Sequence, residues 1–134
     1  MARIGAWDFY DALPDDGMGR NDLNEVHRGV AAICDLRQEV GSGGFEAYFR
    51  YRGGDGAPDA LLVIGTALGQ AWADLLARAM CVVGPEYSTN ATDRRNRLDK
   101  PGVGTQLDHL DLQFLELEGN DDVDQLLTAY LALG

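Results

Sequence analysis

Carboxylates are the most abundant reactive side chains in this chain, and their densest run lies near its end. Residues 106–134 hold seven acids, Asp108, Asp111, Glu116, Glu118, Asp121, Asp122 and Asp124, and no Lys or Arg. General acid–base chemistry needs two carboxylates whose environments push their proton affinities apart, and nothing in the pattern singles out such a pair. Asn120, Asp122 and Asp124 alternate as in a calcium loop, but Gln125 stands where the loop needs Gly and Leu131 where it needs the closing Glu. His27 and His109 form no His-Glu-x-x-His pattern, and no Ser sits in a nucleophile elbow. Cys34 and Cys81 lie inside apolar helical patterns, at a spacing that suits neither a zinc knuckle nor a disulfide framework, and read as reduced core thiols. The residues therefore point to a non-enzymatic chain with no cofactor and no metal.

Recognition is the chemistry left to so much charge. The 134 residues carry 22 acids against 11 Lys and Arg, a net charge of −11. Nucleic acid and anionic membranes would repel such a chain, so the balance favours a basic protein partner, or serves solubility alone. Charge of the other sign gathers in residues 93–100, which hold four basic residues and two acids. Arg94, Arg95 and Arg97 there could grip a phosphate; pairing with the chain's own surplus carboxylates is the simpler expectation.

Helices must position these groups. Trp7, Phe9, Tyr10 and Leu13 give a short amphipathic helix stopped by Pro14-Asp15-Asp16-Gly17, where both acids read as turn residues. Asn21 is placed to cap a second helix reaching about residue 40 on Leu23, Val26, Val30, Ile33, Cys34 and Leu36. Gly41-Ser42-Gly43-Gly44 then breaks it, and Phe45, Tyr48 and Phe49 follow at i, i+3 and i+4, spaced to bring three rings onto one helix face. After the turn at Gly53–Pro58, in which Asp55 reads as a cap or turn residue, helices over 58–64 and 67–82 meet near Gly65-Thr66. Residues 85–104 form the longest irregular stretch. Helices over about 106–118 and 121–133 close the chain, the first burying Leu107, Leu110, Phe114 and Leu117, the second Val123, Leu126, Leu127, Tyr130 and Leu131. The expectation is all-α: a single compact domain of six or seven helices over 1–134, long enough for its own core. The first ten residues hold no apolar signal core, and the apolar run at 60–69 is too short to cross a bilayer, so the expected location is cytoplasmic, with no membrane contact.

The run Ser42-Gly43-Gly44-Phe45-Glu46-Ala47-Tyr48-Phe49, then Gly54-Asp55 and the helix closing on Ile64-Gly65, resembles the bacterial domain family of DNA mimic protein 19. The family pattern reads roughly Asn-Gly-Gly-Phe-x-Gln-Tyr-Phe; here Ser42 replaces Asn and Ala47 replaces Gln. Leu75 to Ala79 and the stretch Leu107-Asp108-x-Leu110-Asp111-x-x-Phe114 extend the likeness, which covers the chain from about residue 22. Gly43, Gly44, Phe45, Tyr48, Phe49 and Asp55 are structural in this reading.

Most members of that family have no assigned function; for at least one the resemblance implies an acidic surface that occupies a DNA-binding protein by imitating DNA, which suits the acidic, non-enzymatic chain read above. Asp108, Asp111, Glu116, Glu118, Asp121, Asp122 and Asp124 are its candidate contacts, joined by Asp15 and Asp16. Duplex DNA presents about one charge per 1.7 Å of axis, a helix with one acid per turn about one per 5.4 Å. Several helices, or two copies in a homodimer, are needed to approach that density. Two further readings stay open. One is an immunity protein or antitoxin that plugs a toxin. The other is a small-ligand module or unrecognised enzyme with a cleft beside Phe45, Tyr48, Phe49 and Trp72.

Overall fold

Residues 4–13 and 18–134 are described by a computed structural model, with Met18 and Gly19 as backbone only. The turn at 14–17, with Asp15 and Asp16, lies outside the described residues. Among them are seven α-helices: α1 (Ala6–Asp11), α2 (Glu25–Arg50), α3 (Ala57–Leu68), α4 (Gln70–Val83), α5 (Ala91–Leu98), α6 (Val103–Asn120) and α7 (Val123–Leu131). Short 3₁₀ turns cover Met18–Asp22 and Arg52–Gly56, and no strand occurs among the described residues.

The central element is α2, which packs against α1, α3, α5, α6, α7 and the Arg52–Gly56 turn. It starts three residues later than the sequence suggests, because Asn24 rather than Asn21 supplies the cap, its side chain accepting the His27 N–H at 2.8 Å. Nor does α2 stop at residue 40. Gly41, Ser42 and Gly43 continue it, and the break falls at Gly44 alone, with φ +76° and ψ −179°. The second limb restarts at Phe45, and Phe45, Tyr48 and Phe49 are fully buried, as their spacing predicts. The Phe45 and Phe49 rings stack at 5.8 Å, and Phe114 from α6 meets Phe45 edge-on at 5.8 Å. At Gly29 α2 runs so close to α3 that a Cβ would collide with Val63, so a side chain there would push the two helices apart.

Other boundaries moved for identifiable reasons. Pro58 sits in the first turn of α3, where its missing N–H costs nothing, but α3 runs past Gly65-Thr66 and ends at Gly69, whose φ of +119° suits only glycine. The stretch expected to be irregular contains α5, capped by the Asn90 side chain on the N–H groups of Thr92 and Asp93. Cys34 is buried and burial pushes its thiol pKa up to about 12, whereas Cys81 is exposed, contrary to the expected core position. Leu62 (70% exposed) and Leu126 (39%) also face solvent. Trp72, Phe45, Tyr48 and Phe49 are at most 1% exposed and pack within the core, where the small-ligand alternative places a cleft. No helix among the described residues is long and apolar enough to cross a membrane.

Candidate functional site

Five of the seven C-terminal acids are held by other parts of the chain. Glu118 meets Arg37 fork to fork, with Nε–Oε1 at 2.6 Å and Nη2–Oε2 at 2.9 Å. The third nitrogen of Arg37 donates to Asp124 Oδ1 at 2.7 Å, and the same oxygen accepts the Trp7 indole N–H at 2.9 Å. With its guanidinium 5.2 Å from the Trp7 ring centre, Arg37 ties α1, α2, α6 and α7 together. Asp121 accepts the indole N–H of Trp72 at 2.9 Å, and Asp122 caps α7 on the N–H of Gln125. Asp111 reaches across from α6 to accept the Phe45 N–H at 2.8 Å, capping the second limb of α2.

Asp108 and Glu116 are different. Both are exposed and hold no other side chain among the described residues. They share the outer face of α6 with Leu112, 66% exposed, and Leu115, 57% exposed. Positions 108, 112, 115 and 116 follow one helical stripe, so two apolar side chains lie between two carboxylates about 12 Å apart along the axis. Beside Leu115 a groove of about 450 Å³ runs along Trp7, Phe114 and Glu118 to Asp11 and Gln38. Asp8 and Asp11 on α1, which packs on α7, add two further acids at this end. The leucines were legible in the sequence: they fall out of phase with Leu107, Leu110 and Phe114, which are buried. Arg37 was not, because its partners lie 81 and 87 residues away.

The basic segment is largely spent on the fold. Arg94 pairs with Asp55 as well as with backbone carbonyls, so Asp55 serves an ion pair rather than a cap. Arg95 and Arg97 instead donate to the carbonyls of Arg50 and Glu86, at 2.9 and 2.6 Å. His27 lies against the Phe9 ring at 5.3 Å, and His109 is exposed on α6. Among the described residues no group of three or more His, Cys, Asp or Glu side chains is arranged to hold a metal ion.

Residues 21–133 match the family described as DMP19-like protein. The chain belongs to that family. Against curated proteins and solved structures this DMP19-like protein finds no match.

Protonation acts on this end with opposite signs at two acids. The Arg37 hydrogen bond holds Asp124 below the ordinary carboxylate range, with the Trp7 bond adding to it. A carboxylate with a depressed folded pKa stabilises above its unfolded value and loses that contribution as pH falls through the folded one. Burial raises Asp111, against the pull of the Phe45 N–H, so its ionisation works the other way: protonation relieves it. We expect Asp124→Asn to flatten the fall in melting temperature on acidification below about pH 4, where an unperturbed carboxylate titrates. A profile parallel to wild type would show that the Arg37 contact contributes nothing to acid sensitivity.

Proposed function

We infer that this DMP19-like protein is an acidic, non-enzymatic binding domain that occupies a basic DNA-binding protein through its α1–α6–α7 end. The outer face of α6 carries the reading: Asp108 and Glu116 serve no internal contact among the described residues, yet they flank Leu112 and Leu115, which solubility alone would not expose. Spacing limits the imitation. Two acids about 12 Å apart are far sparser than the phosphates of a duplex. Asp121, Asp122 and Asp124 raise the density, since each gives one oxygen to an internal donor and keeps the other, whereas Glu118 gives both to Arg37. The Asp124 side chain remains 63% exposed.

A second reading draws on the same leucines. Phosphate-binding surfaces are polar and cationic, so an apolar pair at the centre of the patch favours an enzyme-like partner, such as a toxin, held by an immunity protein or antitoxin. Competition separates the two: retain partners from lysate of the source organism on the immobilised protein at low salt, then challenge with duplex DNA. Release of a basic protein by DNA supports mimicry; retention despite DNA supports the inhibitor. With either partner, the double variant Asp108→Asn, Glu116→Gln is expected to weaken capture about tenfold or more and to flatten its salt dependence. Unchanged capture by that variant removes α6 from the function.

A further inference from the structure

A second recess lies on the other side of α2. Its floor is a stripe of that helix, Arg28, Ala32, Asp35 and Glu39, at i, i+4, i+7 and i+11. The open volume is about 650 Å³. Across the floor Ala32 faces Gly56, whose added Cβ would stand 3.6 Å from that of Ala32, so small residues on both sides keep the middle clear. One wall is fixed by Asp35, which accepts from the Tyr10 hydroxyl and pairs with Arg20 through both of its oxygens. The opposite wall is the Arg52–Gly56 turn and Asp59 at the start of α3.

The spare hydrogen-bonding capacity of this recess defines a ligand. Among the described residues five carboxylates and three guanidinium groups line it. Arg28 has no side-chain or backbone acceptor among the described residues, whereas Arg20 is spent on Asp35. Among the described residues Asp11, Glu39 and Asp59 likewise hold nothing. A free anion meets an excess of carboxylate, and a simple cation leaves the Arg28 donors unanswered. An extended peptide bearing Lys or Arg answers both, with carbonyl oxygens for Arg28 and side-chain cations for Glu39 and Asp59. From Arg28 to Glu39 the floor spans about 16 Å, the length of roughly five extended residues.

We propose that this cleft binds an extended Lys- or Arg-containing segment of the protein partner, with Arg28 holding its backbone and Glu39 and Asp59 its side chains. The proposal rests on the basic-partner reading, and the geometry joins the two: Asp11 and Gln38 line both this cleft and the groove beside Leu115. A partner docked on α6 therefore reaches the cleft along one continuous surface.

The test is fluorescence anisotropy of a labelled acetyl-Gly-Lys-Gly-Arg-Gly amide with the full chain at about 0.15 M salt, where diffuse attraction is screened. Arg28→Gln makes the protein more negative, so diffuse electrostatics predicts tighter binding, whereas a backbone clamp predicts weaker binding by about fivefold or more. The pair Glu39→Gln, Asp59→Asn is expected to weaken it about tenfold, and Asp108→Asn with Glu116→Gln less than about twofold. Among the described residues these positions hold no internal side-chain partner, so folding is expected to be preserved, and matching melting curves check it. Tighter or equal binding by Arg28→Gln, equal losses from cleft and α6 variants, or no binding by wild type would each overturn the proposal. Loss of the captured partner by the α6 variant, with the peptide results negative, would sink the cleft alone and leave the α6 reading standing.

Discussion

Arg94→Met is expected to cost about 3–5 kcal/mol, because it leaves a set of buried acceptors unanswered. Arg94 is completely buried. Its Nε donates to the Phe49 carbonyl at 2.7 Å, Nη1 to that of Ser88 at 2.9 Å, and Nη2 to that of Tyr51 at 2.9 Å and to Asp55 Oδ1 at 2.6 Å. Phe49 and Tyr51 close α2, where carbonyls lack helical partners and negative charge accumulates, so the guanidinium serves as a cap reaching in from α5. Methionine fills the volume and answers none of the four. Lysine keeps the charge but, with one nitrogen at the wrong reach, should recover little of the loss. Asp55→Asn should cost much less, since that side chain is 44% exposed and water replaces it. Urea and thermal unfolding would show a drop of roughly 10–20 °C for Arg94→Met; a variant within about 1 kcal/mol of wild type, or full rescue by lysine, would reduce Arg94 to one surface pair among others.

The same residue explains why α5 was hidden in the sequence. Its buried face consists of Arg94 and Leu98, four apart, so the apolar period that reveals a helix was half written in arginine. Where the buried face was apolar, as in α2, α4, α6 and α7, the helices were legible, with ends shifted by a few residues. Three consecutive glycine and serine positions, Gly41 to Gly43, read as a break because each glycine costs a helix up to about 1 kcal/mol. Packing of α2 against α6 overrides that cost, and only Gly44 leaves the helical conformation. The acidic end was legible as charge and illegible as geometry. Nothing local tells Glu118, which grips Arg37 across the fold, from Glu116 two residues earlier, which faces solvent. Periodicity places a carboxylate on a face; only the fold reveals which cation stands opposite it.

Gly44→Ala is expected to cost about 2–4 kcal/mol, for two reasons that one measurement can separate. The first is intrinsic: φ +76° with ψ −179° is a backbone region almost confined to glycine, whatever surrounds it. The second is steric: a Cβ there would collide with the Asp111 carboxylate, standing 3.0 Å from its Cγ. That carboxylate cannot simply turn away, because it accepts the Phe45 N–H, the first donor of the limb that carries Phe45, Tyr48 and Phe49 into the core. The kink and the cap thus form one device, with glycine admitting the acid and the acid starting the helix. Asp111→Ala alone should lose the cap, about 1 kcal/mol, and should remove the object that the added methyl group strikes. In a double-mutant cycle the two losses should therefore fall short of additive by about 1 kcal/mol or more. Strict additivity would mean that backbone strain accounts for the whole effect of Gly44→Ala. Coupling of the expected sign would mean that glycine is required at 44 partly so that Asp111 can reach the helix it caps, which sets this acid apart from Asp108 one turn earlier, free for a partner.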